Sequence, residues 1–131
     1  MFLGMEQLAP TSRIQADPHS RELYFAIAGF WTLAEMQAFL QDLAKAAGPF
    51  IKNREKFTAM GNLAEFVPQD RATAEAIRDS LLLATKNGLT RFAVVSPPPL
   101  VKMQYRRITE GLDYDAFDDE TTARRWLRTG A

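Results

Sequence analysis

Hydrophobic and polar residues alternate with a two-residue period from Glu22 to Gly29. Leu23, Phe25 and Ile27 fall on one side of this run, and Tyr24, Ala26 and Ala28 on the other. That period predicts a strand with two distinct faces. Ser12 to Ala16 is a shorter extended run. Between the two lies Asp17-Pro18-His19-Ser20. Proline presets φ there, and Asp and Ser supply local side-chain hydrogen bonds, so an antiparallel hairpin is predicted. The period then changes. Thr32, with Glu35 three residues on, reads as a capping box. Leu33, Met36, Phe39, Leu40, Leu43 and Ala47 recur at helical spacing, and Gly48 and Pro49 are expected to stop that helix.

The alternation of elements continues to the C-terminus. Lys56 to Met60 reads as a strand, Gly61 to Pro68 as a loop, and Gln69 to Asn87 as a second helix. Its inward stripe is Ala74, Ile77, Leu81 and Ala84, with Gly88 as the C-terminal stop. Phe92 to Val95 is apolar on both faces, which predicts a central strand covered on both sides. Pro97 to Pro99 open a third helix, where a missing N–H costs least. Its apolar residues are Leu100, Val101, Met103, Tyr105 and Ile108, and Gly111 ends it. Tyr114 to Phe117 reads as a short edge strand. Asp118 is expected to cap a last helix that buries Ala123, Trp126 and Leu127. The order ββαβαβαβα is that of an α/β protein. Right-handed crossovers would wind four βα units around a mixed, mostly parallel five-stranded sheet. Residues 1–11 are expected to form a tail and residues 12–131 a single domain.

Composition narrows the function. Among 131 residues, 16 are basic and 16 acidic. This balance argues against a dedicated nucleic-acid binder, which usually needs a positive excess. There is no cysteine and one histidine, His19, so thiolate chemistry, cysteine-held zinc and multi-histidine metal sites are excluded. No cofactor or metal is expected. The segment Met1-Phe2-Leu3-Gly4-Met5-Glu6-Gln7-Leu8 is apolar, but it has no basic start and no run long enough for a signal peptide or membrane span. A cytoplasmic location is therefore expected.

Certain phrases, in order, carry a family resemblance. They are Asp17-Pro18 then Leu23-Tyr24-Phe25; Gly29-Phe30-Trp31-Thr32; Arg91-Phe92-Ala93-Val94-Val95; and Phe117-Asp118-Asp119-Glu120 then Ala123 and Trp126-Leu127. Spread over Ile14 to Leu127, they resemble the STAS-like (SpoIIAA-like) domains, in particular small bacterial STAS/SEC14-type proteins of unknown function. The resemblance implies a bacterial regulatory or signalling domain. Anti-sigma-factor antagonists of this fold switch by phosphorylation of a serine or threonine that starts the helix after the third strand. Here that region reads Asn62-Leu63-Ala64-Glu65-Phe66-Val67-Pro68-Gln69-Asp70, with no hydroxyl before Thr73. The phosphorylatable serine is therefore not carried over to any residue.

Parallel strands place ligands beyond their C-terminal ends. That edge should gather Phe30, Trp31 and Thr32, then Asn62, Glu65 and Phe66, then Ser96, then Asp118 and Asp119. One reading is a cleft for a small ligand or peptide. The plainer one is capping by Thr32 and Asp118 with the aromatics packed. Ser96 has no base near it in sequence, and acidic first turns are expected from the helix dipole, so no catalytic residue is assigned. Leu81-Leu82-Leu83 cannot all face one core at about 100° per residue, which leaves Leu82 as a candidate self-association surface. Tyr24, Thr58 and Met60 would line a partly open sheet face if the helices sit unequally, which would also favour a homodimer. Lys102 and Arg106, spaced i,i+4, form one basic helix face, although nearby acids offset it.

The expected function is non-enzymatic regulation through protein–protein contact. Its partner or ligand surface would draw on Trp31, Asn62, Glu65, Phe66, Leu82, Ser96, Lys102 and Arg106. The alternative is a module that binds a lipid or metabolite in a strand-end pocket walled by Trp31 and Phe66. An enzyme using Glu65 or Asp118 is the weakest candidate.

Overall fold

The computed structural model describes residues 9–130. Among these described residues there are five strands: β1 (Thr11–Asp17), β2 (Glu22–Ala28), β3 (Phe57–Asn62), β4 (Leu89–Val95) and β5 (Tyr114–Phe117). Among them, four helices connect and close the strands: α1 (Leu33–Lys52), α2 (Arg71–Lys86), α3 (Pro99–Ile108) and α4 (Glu120–Thr129). The strands lie side by side in chain order. β1 runs antiparallel to β2, and the other neighbours are parallel. The expected α/β class, element order and mixed sheet are all present.

Alternation along the strands decides which helix packs where. Leu23, Phe25 and Ile27 join Phe57, Ala59, Phe92 and Val94 on one face, with α1, α2 and α3 over it. Met60, Ala93 and Val95 face the other way, onto Ala123 and Leu127 of α4. Three helices therefore cover one face and one helix covers the other. β4 is apolar on both sides because both its faces are roofed. Gly61 is needed in β3 for another reason: a Cβ there would collide with the Phe25 ring.

Several boundaries differ from expectation. Pro49 does not stop α1, which runs on to Lys52. Burial of Phe50, stacked 5.4 Å from Phe57, draws the helix past the lost hydrogen bond. β3 continues through Gly61 to Asn62, two residues whose sequence suggests loop. Asp119, not Asp118, caps α4 by accepting from the Thr122 amide at 2.7 Å. Leu33, Leu100 and Met103 lie outside the core at 37%, 65% and 53% exposure, because each sits off its helix's inward stripe. Trp126 is only half-buried. Of the expected tail, Thr11 already belongs to β1, and residues 1–8 lie outside the described residues. Among the described residues, no helix is long and apolar enough to cross a membrane.

A buried carboxylate helps fasten α4. Glu22 is 1% exposed and receives two hydrogen bonds from Arg128, at 2.9 and 2.7 Å. Ser20 Oγ donates to it at 2.9 Å, and Tyr24 Oη also donates to it. Burial pushes its pKa up. The bonds from Arg128, Tyr24 and Ser20 outweigh that and hold the carboxyl below its ordinary value. Arg124 extends the network by lying over the Tyr24 ring and donating to its hydroxyl.

Candidate functional site

Beyond the end of β2 the C-terminal strand edge is filled, while Asn62 and Glu65 line an open groove beside β1. Trp31 is 5% exposed and Phe66 is 1% exposed. The indole donates Nε1–H to the Ala28 carbonyl at 2.9 Å and packs 5.5 Å from Phe39. Phe66 meets Tyr105 edge-on at 6.3 Å, and its backbone bridges to Gly29. Both rings point inward because an aromatic this size contributes most when fully covered. Trp31 and Phe66 are therefore corrected from surface or pocket-wall residues to core residues.

Gln69 closes the seal, and nothing in its sequence context singled it out. It is 7% exposed. Its Oε1 accepts from the Trp31 amide at 2.9 Å, and its Nε2 donates to the carbonyls of Gly29 and Val67. Gln104 of α3 then pairs with its backbone in both directions, at 2.9 and 2.8 Å. Through its side chain and backbone, this one residue thus ties the end of β2, the loop before α2, and α3 together.

The other candidate residues at this edge hold local structure. Asn62 Oδ1 accepts from the Ala64 amide, and its Nδ2 donates weakly to Glu120 at 3.5 Å. Glu65 has an exposed side chain, while its carbonyl accepts from the Gly29 amide. Ser96 adopts φ 54°, and its Oγ donates to the Asp118 carbonyl at 2.9 Å, which splices β4 to β5. Thr73, the first hydroxyl after β3, is fully buried. Among the described residues, no three His, Asp or Glu side chains gather in a metal-holding cluster.

Leu82, Lys102 and Arg106 do lie on the surface. Lys102 and Arg106 share α3, whereas Leu82 is on α2. Arg78 of α2 donates to the Ile108 and Glu110 carbonyls, which locks the end of α3 against α2. The eight expected residues are therefore split between the C-terminal strand edge and an outer helical surface.

The molecule's apolar hollow lies elsewhere. A cavity of about 220 Å³ opens between α1 and α2 and reaches the sheet near the N-terminal ends of the parallel strands. Phe25, Phe39, Phe57 and Phe92 line its depth, with Tyr105 beyond. Ala44, Ala47, Ala59 and Ala84 leave the space, since a larger side chain at any of them would reach into it. Leu83, 61% exposed, stands at the mouth with Ser80 and Asn87. Among the described residues, no charged one lines this cavity. Burial pushes the Tyr105 hydroxyl's pKa well above its ordinary value, so that group remains neutral. The signal in the sequence was the alternation of alanine with large residues on the facing helices, but those alanines also read as ordinary helix formers.

No protein-family model matches the chain, and no curated protein does. Among solved structures it is similar to the crystal structure of an uncharacterized protein of the DUF3478 family, with a SpoIIAA-like fold, from Shewanella loihica PV-4. The two share 19% identity with a TM-score of 0.61, over 91% of this chain and 93% of that one. With its sheet order and its unequal helical layers already described, this likeness shows that the chain has a SpoIIAA-like fold.

Proposed function

We propose that this protein is a non-enzymatic binding module that holds a small apolar molecule, or one apolar chain of a larger one, between α1, α2 and the sheet. The cavity carries this reading. An apolar cavity of about 150 Å³ is large enough to take up benzene, and this one is about 220 Å³. Left empty and enclosed, a void of that size costs on the order of 5 kcal/mol, comparable with a small domain's whole net stability. The opening to solvent lowers that figure. The absence of charge in the lining favours an uncharged body, with any polar end left at Ser80 and Asn87.

Titration with decanol, followed by calorimetry and thermal melting, tests the reading. Saturable binding with a rise in melting temperature is expected. Ala84→Phe, which fills the cavity mouth, should weaken binding at least about tenfold while leaving the protein folded. Equal binding by that variant, or no saturable binding by the parent, would count against the proposal.

A second reading, docking of a regulatory protein partner, is favoured by α3. Leu100 and Met103 are 65% and 53% exposed beside exposed Lys102 and Arg106. Among the described residues, no ion pair engages either base. Lys102→Glu with Arg106→Glu should abolish capture of such a partner with little change in thermal stability. Undiminished capture would exclude this face.

A further inference from the structure

Among the described residues, β1 ends the sheet with no strand paired to its outer edge along Thr11–Asp17, while the opposite edge, β5, is only Tyr114–Phe117. A free edge is a template for another strand, and proteins commonly blunt it with proline, bulges or clustered charge. β1 has no proline, and its register against β2 is unbroken over all seven residues. Its charges are Arg13 near one end and Asp17 at the other. Arg13 and Gln15 line a groove with Tyr24 and Arg124, which places them on the α4 side of the sheet. Asp17 shares their side, because side chains two apart along a strand do. Its Oδ1 accepts from the His19 and Ser20 amides, which pins the carboxyl at the strand's end. Among the described residues, no ion pair engages Arg13 or Asp17.

These facts define a self-complementary register. Residues an even number apart on one strand turn their backbone groups the same way, so they can face each other across a two-fold axis in an antiparallel pair. An axis at Gln15 sets Arg13 of each copy opposite Asp17 of the other and Ile14 opposite Ala16. Opposite charges in such cross-strand positions are favourable. We propose that the β1 edge is a docking surface for a second copy of this chain, which pairs antiparallel about Gln15 and joins two five-stranded sheets into one. The pairing is short, so the dimer is weak and concentration-dependent.

The chain has no cysteine, so a single introduced thiol reports the pairing directly. In the full chain, Gln15→Cys lies on the axis and is expected to form a covalent dimer on mild oxidation. Ala16→Cys is also exposed but offset from its own copy beyond the roughly 7 Å limit for a disulfide, and should stay monomeric. In sedimentation velocity, Arg13→Asp sets like charges opposite each other and should weaken the parent's dimer about tenfold. Three results would overturn the proposal: a parent chain monomeric up to about 1 mM, cross-linking of Ala16→Cys as readily as Gln15→Cys, or an Arg13→Asp dimer as tight as the parent's.

Discussion

The two ends of the parallel strands are built differently. At the C-terminal end, Trp31 and Phe66 are driven inward and Gln69 ties three segments together, so the end of β2 is filled and the Trp31 amide and Gly29 carbonyl are paired. Toward the N-terminal end, α1 and α2 present alanines and a serine across from the sheet, and a hollow remains. The same aromatic-rich core thus ends in a plug at one side and a cavity at the other. The contrast teaches that an aromatic at a strand end marks a site only if the backbone leaves it somewhere to open. Here the loop before α2 folds over it.

Four measurements break or sharpen this contrast. The largest effect is expected at the plug. Phe66→Ala should lose about 3–5 kcal/mol in urea unfolding, the usual range for emptying a buried aromatic site. A loss under 1 kcal/mol would mean that the edge is loose. Gln69→Ala should cost about 1–3 kcal/mol, because the Trp31 amide and the Gly29 carbonyl lose their partner. At the hollow the sign reverses. Ala84→Phe should change stability by less than about 1 kcal/mol or raise it, since the added ring fills space already present. A loss as large as that of Phe66→Ala would show that the hollow closes in solution.

The smallest effect near neutral pH comes from the α4 side. The pKa of Glu22 is lowered in the folded protein from its ordinary 4.5. Its contribution is therefore fully present above that value and is lost as pH falls through the lower folded value. Melting temperatures compared from pH 7 to pH 3 should show Glu22→Gln falling less steeply than the parent below about pH 4.5. Parallel curves would remove Glu22 from the account of acid stability.

Much of the fold was legible because it rests on periodicity. The two-residue period of Leu23, Phe25 and Ile27 and the Thr32–Glu35 capping box are local, and both stand as read. The hairpin turn at Asp17 is local as well. Pro49 was misread because its local preference to stop a helix was overridden by the distant burial of Phe50 against Phe57. The candidate site was less legible. Trp31 and Phe66 were correctly placed at the strand edge, but whether they open or close it depends on Gln69 and Gln104, which are far apart in sequence. Glu22 follows the hairpin turn in sequence, and only the fold brings Arg128 to it.

The order of strands and helices, the two faces of the strands, and the lack of cysteine and of a histidine cluster were determined by the sequence itself, because each follows from side-chain chemistry or spacing within one segment. Tertiary structure decided where aromatics fill the end of the sheet, where the hollow lies, and which strands lie at the sheet's edges. Those outcomes depend on the volumes of facing residues from separate elements and on hydrogen bonds across many intervening residues. No local pattern encodes how well two such surfaces fill the space between them.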